Sequence, residues 1–227
     1  MALTHMSANR IAKRAGLLLW ILQLLACTDG IAAEQYRVLS GDSELRVLVF
    51  RAGALATLGH NHVISSNALA GTVLLADTPA DGAFDLHLPV DSLVVDDPDV
   101  RAEEGSAFSV AVSEKDRAGT RRNMMGAKLL QGDRFADIRV TSQRISGSYP
   151  DVLIEAEVTI RGKKYIVELP VIVERYDDRV VVTGSKDISH SDLGLTPFTA
   201  AFGTMRVGDP MTFKYRIAAV RGDGSEQ

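Results

Sequence analysis

The chain has 227 residues, with 25 Lys and Arg against 29 Asp and Glu, a net charge of −4 and 46% apolar residues. An acidic chain without a long basic run is a poor partner for nucleic acid, whose phosphates need a positive surface. Its single cysteine, Cys27, excludes an intramolecular disulfide, a dithiol redox centre and a Cys-ligated zinc site.

The first element is unlike the rest. Arg10, Lys13 and Arg14 precede an apolar run from Ala15 to Ala26. That run is shorter than the roughly 18 to 20 residues a bilayer span needs, so with its basic flank it predicts a secretory signal peptide. Small residues close the stretch TDGIAA before Glu34, which places cleavage after Ala33; the alternative is a lipobox, Leu24 to Cys27, giving a lipoprotein tethered through an acylated Cys27. The expected organisation is a signal peptide at 1–33, one domain at 34–221 and a flexible tail at 222–227, with a periplasmic destination. Removing 1–33 leaves 22 basic against 28 acidic residues, no cysteine and no membrane span. A cysteine-free mature chain suits an oxidising compartment.

Beyond Tyr36 the dominant signal is alternation of apolar and polar residues, the period of a strand with one wet face. ELRVLVFRA (44–52) and ALAGTVLLA (68–76) are the first strand candidates. In FDLHLPV, Phe84, Leu86, Leu88 and Val90 share one face. The stretch DDPDVRAEEGS follows, and its Asp96-Asp97 and Glu103-Glu104 pairs are expected in a solvated loop. Between 113 and 130 Ala118, Arg122, Met125 and Leu129 recur near helical spacing, which predicts one short helix weakened by Gly119 and Gly126. Its Arg121-Arg122 pair either meets an anionic head group or forms the wet side of the helix. Strands are expected again at IRVTSQRI (138–145), DVLIEAEVTI, KKYIVELPVIV, RVVVTGSKD (179–187) and MTFKYRIAAV (211–220), with a hairpin turn at Arg161-Gly162.

Eight or nine short strands and one helix define an all-β class, an antiparallel barrel or sandwich. Closure is favoured because an open sheet would leave long apolar edges, and about eight strands close around either packed side chains or one ligand. The stretch LGHNHVISS raises a separate question. His60 and His62 would share a face in an extended chain and so supply two imidazoles to a metal, but zinc, copper or iron needs further donors. The other possibility is that these histidines and Asn61 hydrogen-bond loop backbone. The letters HNH do not make a nuclease, since no basic surroundings and no following helix accompany them. No G-x-S-x-G elbow is present, and Ser189 to Asp192 crowds its polar groups too closely in sequence for a catalytic triad, so a non-enzymatic role is expected.

Several stretches, taken in order, resemble the YceI-like family of bacterial, often periplasmic, lipid-binding barrels. These are RFADIRVTS (134–142), VTIRGKKYIVELPV (158–171), HSDLGL (190–195) and VGDPMTFKYRI (207–217). The resemblance runs from Glu34 to about Val220. Departures are Ala136 where the family usually has Pro, His190 where Arg or Asn is common, and the early GALATLGHNHV. What the resemblance implies is a lipocalin-like barrel of about eight strands with one short helix, whose apolar cavity takes an isoprenoid-type lipid as ligand and needs no other cofactor. Phe84, Leu86, Leu88, Ile154, Val158, Tyr165, Val167, Leu169, Phe213 and Tyr215 would wall that cavity; periodicity alone favours a solid core, and the resemblance reverses that. His60, His62, His190 and Arg122 are the expected head-group or rim residues, with a His60/His62 metal site as the alternative. A homodimer is left open.

Overall fold

The computed structural model describes residues 33–222. The expected signal peptide, Cys27 and residues 223–227 of the expected tail lie outside the described residues. Twelve strands and two helices follow in order: β1 (Glu34–Val38), β2 (Glu44–Ala52), β3 (His62–Ser66), β4 (Ala70–Leu75), β5 (Ala83–Pro89), β6 (Val94–Val95), α1 (Pro98–Glu103), α2 (Glu114–Met125), β7 (Asp137–Ser148), β8 (Asp151–Ile160), β9 (Lys163–Arg175), β10 (Arg179–Ser189), β11 (Thr199–Ala200) and β12 (Met205–Arg221).

Eight of these close a ring in the order β1-β4-β5-β7-β8-β9-β10-β12 and back to β1, every pairing antiparallel. Closure removes the edges that the apolar alternation would otherwise leave bare. β12 makes it possible by using one edge twice. Its residues 219–221 pair with β1 and its residues 206–216 with β2. Between them the chain steps aside for one 3₁₀ turn, Ser40–Asp42, while Leu39 N–H donates to the Ala218 carbonyl and Ser43 Oγ accepts from Ala218 N–H. β1 and β2 are thus one strand line with a break. The same is true of β3 with β4 and of β5 with β6, because β3 pairs with β2 and β6 while β4 pairs with β1 and β5. One end of the barrel is therefore fully laddered, and at the other the β2-β3-β6 flap separates from β7.

α2 lies beside that opening. Ser113 caps its start by accepting from Asp116 N–H. Arg121 donates to the carbonyls of Leu93 and Asp91, in the turn that leads into β6. The helix stops at Met125, short of the expected 113–130; Met124 within it and Leu129 and Leu130 beyond it pack on the barrel core.

The β8–β9 hairpin has the expected turn. Arg161 and Gly162 both have positive φ, 52° and 70°, and Ile160 sits opposite Lys163, the geometry of a two-residue primed turn. β12 is longer than the expected 211–220 and continues through Gly208-Asp209-Pro210 as a bulge between Val207 and Met211. Pro210 has no N–H to lose there. Pro170 has the opposite effect. Its carbonyl faces β10, so its missing N–H does too, and the β9–β10 ladder ends at Ile172 and Thr183.

One expectation is overturned. The stretch DDPDVRAEEGS is not a solvated loop: it contains α1, with Asp97 as N-cap and Pro98 at the first position, packed on the outer face of the flap. The Asp96 side chain is 0% exposed and that of Glu104 2%. The physical reason is charge. Arg46 on β2 and Lys214 on β12 are directly opposite, a repulsive cross-strand pair. Glu104 accepts from both, and Glu103 from Arg46, so the helix end neutralises the sheet.

Candidate functional site

Alternate positions on a strand point to one side, and directly paired residues point to the same side. From that rule and the observed register, all ten expected cavity residues face the barrel interior. Leu86 pairs with Val140 and Leu88 with Ile138, Ile154 with Leu169, Val158 with Tyr165, and Val167 with Ala156. Phe84 lies opposite Val73, while Phe213 and Tyr215 lie opposite Val47 and Leu45. Leu86, Leu88, Ile154 and Val167 are buried. Phe84, Val158, Tyr165, Leu169, Phe213 and Tyr215 are only half-buried although they point inward, so other side chains leave part of their surface uncovered.

Two of these aromatics shape the wall. Gly184 lies on β10 where a Cβ would sit 2.5 Å from the Tyr215 ring and 2.4 Å from the Pro170 carbonyl oxygen. With no Cβ there, the phenol crosses the unladdered seam and donates to that carbonyl at 2.9 Å. Burial pushes the Tyr215 hydroxyl up to about 12. Tyr165 packs at the other side of the seam against Gly194, with Leu193 and Leu195 buried beside it.

The expected rim residues divide. His62 opens β3 opposite Val49 and its Nδ1 lies 2.6 Å from Asp96 Oδ2. Asp96 is the buried centre of a network, accepting also from Val63 N–H and Arg101. Burial alone would push that carboxyl up; the bonds from His62, Val63 and Arg101 outweigh it and hold it below its ordinary value. Asn61 accepts from Arg51 N–H and donates to the Ala107 carbonyl, so it ties the β2 edge to the loop after α1. His60 lies next to His62, ring centres 6.3 Å apart. Among the described residues no group of three or more His, Cys, Asp or Glu is placed to hold a metal.

His190 does not join the pair. It follows β10, buried, with Nδ1–H donating to the Asp209 carbonyl. From Ser189 to Pro210, Met211 to Val49, and Val49 to His62 is three strand steps, roughly 14 Å at ordinary sheet spacing. In α2 the structure reverses the emphasis within the arginine pair: Arg121 makes the carbonyl contacts and Arg122 is exposed.

Sequence reasoning missed two residues. Arg101 is buried and donates to Asp96 and to the carbonyls of Asn61, Phe108 and Val110, with its guanidinium over the Phe108 ring. Nothing in its local pattern marks it. Lys186 lies on the inward face, opposite Phe213 and half-buried. The run Val180, Val182, Gly184, Lys186, Ile188 carried that signal. The other inward cations and acids, Glu34, Arg51, Lys163, Arg175 and Arg221, lie at or next to strand ends.

A closed, eight-stranded antiparallel barrel with an apolar interior defines a lipocalin-like fold. The YceI-like domain model matches residues 48–219, and the chain belongs to that family. Burkholderia cenocepacia BcnA has a similar structure, with 14% identity, a TM-score of 0.56, and coverage of 81% of this chain and 99% of that one. A Campylobacter jejuni YCEI protein is 9% identical, with coverage of 68% of this chain and 82% of that one and a TM-score of 0.49. No curated protein sequence matches this chain.

Proposed function

We propose that the protein is a non-enzymatic periplasmic carrier of an isoprenoid-type amphiphile, held with its tail inside the barrel. The observation that carries this is the inward face itself: ten apolar residues from four strands converge, and six keep uncovered surface. Each methylene transferred from water to such a lining contributes about 0.8 kcal/mol, so a long branched tail binds without specific polar contacts. Family membership supports a binding role, and the absence of a helix long and apolar enough to cross a membrane, among the described residues, is compatible with a carrier. Lys186 gives the interior one cation for an anionic or strongly polarised head group.

Native mass spectrometry of the processed protein, followed by organic extraction and a metal scan of the same sample, tests the reading. The expected result is a stoichiometric hydrophobic adduct that is lost in Leu169→Trp, whose indole occupies the space of the tail. An empty barrel in cells that make isoprenoid lipids, or stoichiometric metal lost with His60→Ala, would reject it.

A further inference from the structure

Two loops at the flap end of the barrel form an apolar lip. Residues 53–61 join β2 to β3, and residues 196–206 carry β11 into β12. They are fastened together, since Leu55 N–H donates to the Thr204 carbonyl and β11 pairs with the start of β12, which pairs with the end of β2. From this double loop Leu55, Leu58, Phe198 and Phe202 stand exposed at 40%, 68%, 40% and 110%. Phe202 is also in the left-handed region, φ 55°, an uncommon conformation for a bulky residue that here turns its ring to solvent.

The charge of the lip is as one-sided as its polarity. Neither loop contains Asp or Glu, although the chain as a whole is acidic. Arg51 and Arg206 flank the apolar tips, both exposed, and Arg51 fixes the first loop by donating to the carbonyls of Thr57 and Gly59. Asp192 and Asp209, the carboxylates nearest in sequence to the second loop, are turned back onto Ser189 and Ser191. Protruding apolar tips ringed by cations fit a soft anionic layer, where rings enter the acyl boundary and guanidinium groups meet phosphate.

We infer that this lip docks the protein on an anionic membrane surface, with Leu55, Leu58, Phe198 and Phe202 inserted and Arg51 and Arg206 on the phosphates. The docking places the flap end of the barrel, where the β2-β3-β6 strands separate from β7, against the bilayer. It goes beyond the carrier reading and stands or falls separately from it.

Flotation of the processed protein with vesicles tests it, using phosphatidylglycerol with phosphatidylethanolamine in one set and phosphatidylcholine alone in the other. Wild type is expected to bind the anionic set, more weakly as salt rises. The double variant Leu58→Ser, Phe202→Ser should bind at least tenfold more weakly, and Arg206→Gln about fivefold. Both variants should keep the wild-type melting curve and bound cargo mass, because these side chains are exposed on the lip. Equal binding by the double variant, or no binding of wild type to anionic vesicles, overturns the inference. So does a wild-type dimer that the double variant converts to monomer, which would make the lip a self-association face. Loss of cargo with vesicle binding intact rejects only the carrier reading.

Discussion

Arg101 and Asp96 show how one buried pair can govern a whole rim. Asp96 fixes the start of β3 through Val63 N–H and His62, while Arg101 holds three backbone carbonyls around the same point. Removing one member of such a pair leaves a buried charge unmatched, so Arg101→Met should cost about 3–5 kcal/mol in urea denaturation. A loss under about 1 kcal/mol would show that the network is dispensable. The same titration, repeated against pH, separates the carboxylates. Asp96 and Glu104 are both held below their ordinary values of 3.8 and 4.5; burial opposes this, and the hydrogen-bonded partners prevail. A carboxyl lowered in the folded state stabilises the fold above its unfolded value and loses that contribution as pH falls through the folded one. Wild-type stability should therefore be flat near neutrality and decline from about pH 4.5 downward, with a shallower decline in Arg101→Met, where part of the lowering is gone.

At the scale of elements, two prolines decide where ladders stop and where they bend. Pro210 sits in a bulge and lets β12 run on past the barrel into the lip, whereas Pro170 breaks the β9–β10 ladder and opens a seam. Tyr215 fills that seam only because position 184 is glycine. In Gly184→Ala the new methyl collides with the ring and with the Pro170 carbonyl. The expected cost is about 1–3 kcal/mol, and the Tyr215 hydroxyl should titrate nearer 10 than 12 as it leaves its buried position. Spectrophotometric titration of the tyrosines checks this directly; an unchanged high-pH step would place Tyr215 outside the seam's support.

For the whole molecule, a barrel that holds its cargo must be more stable loaded than empty, since a ligand that binds only the folded state adds RT ln(1 + [L]/Kd), about 4 kcal/mol at a thousandfold excess over Kd. Organic extraction under refolding conditions should lower the melting temperature by several degrees, and adding back the extracted lipid should restore it. An extracted protein that melts as before carries no cargo of consequence. The ring of eight strands closes at one end, and the flap, α2 and the lip crowd the other.

The sequence alone determined the long barrel strands and their inward faces, but not the short strands β1, β3, β6 and β11. Alternation in 84–90, 151–160 and 163–173 requires no partner to be visible, because a one-sided strand carries its own record of what it must hide. The Arg161-Gly162 turn was equally local. What the tertiary structure decided were features that depend on residues far apart in the chain. Glu104 became buried because Arg46 and Lys214 are opposed across two strands, Arg101 because four acceptors converge on it, and Arg121 instead of Arg122 because the carbonyls of Asp91 and Leu93 lie within its reach. The lip exists only where β2 and β12 end together. Periodicity records a residue's neighbours on its own strand; charge opposition, seams and rims are set by register between strands, which no single stretch of sequence contains.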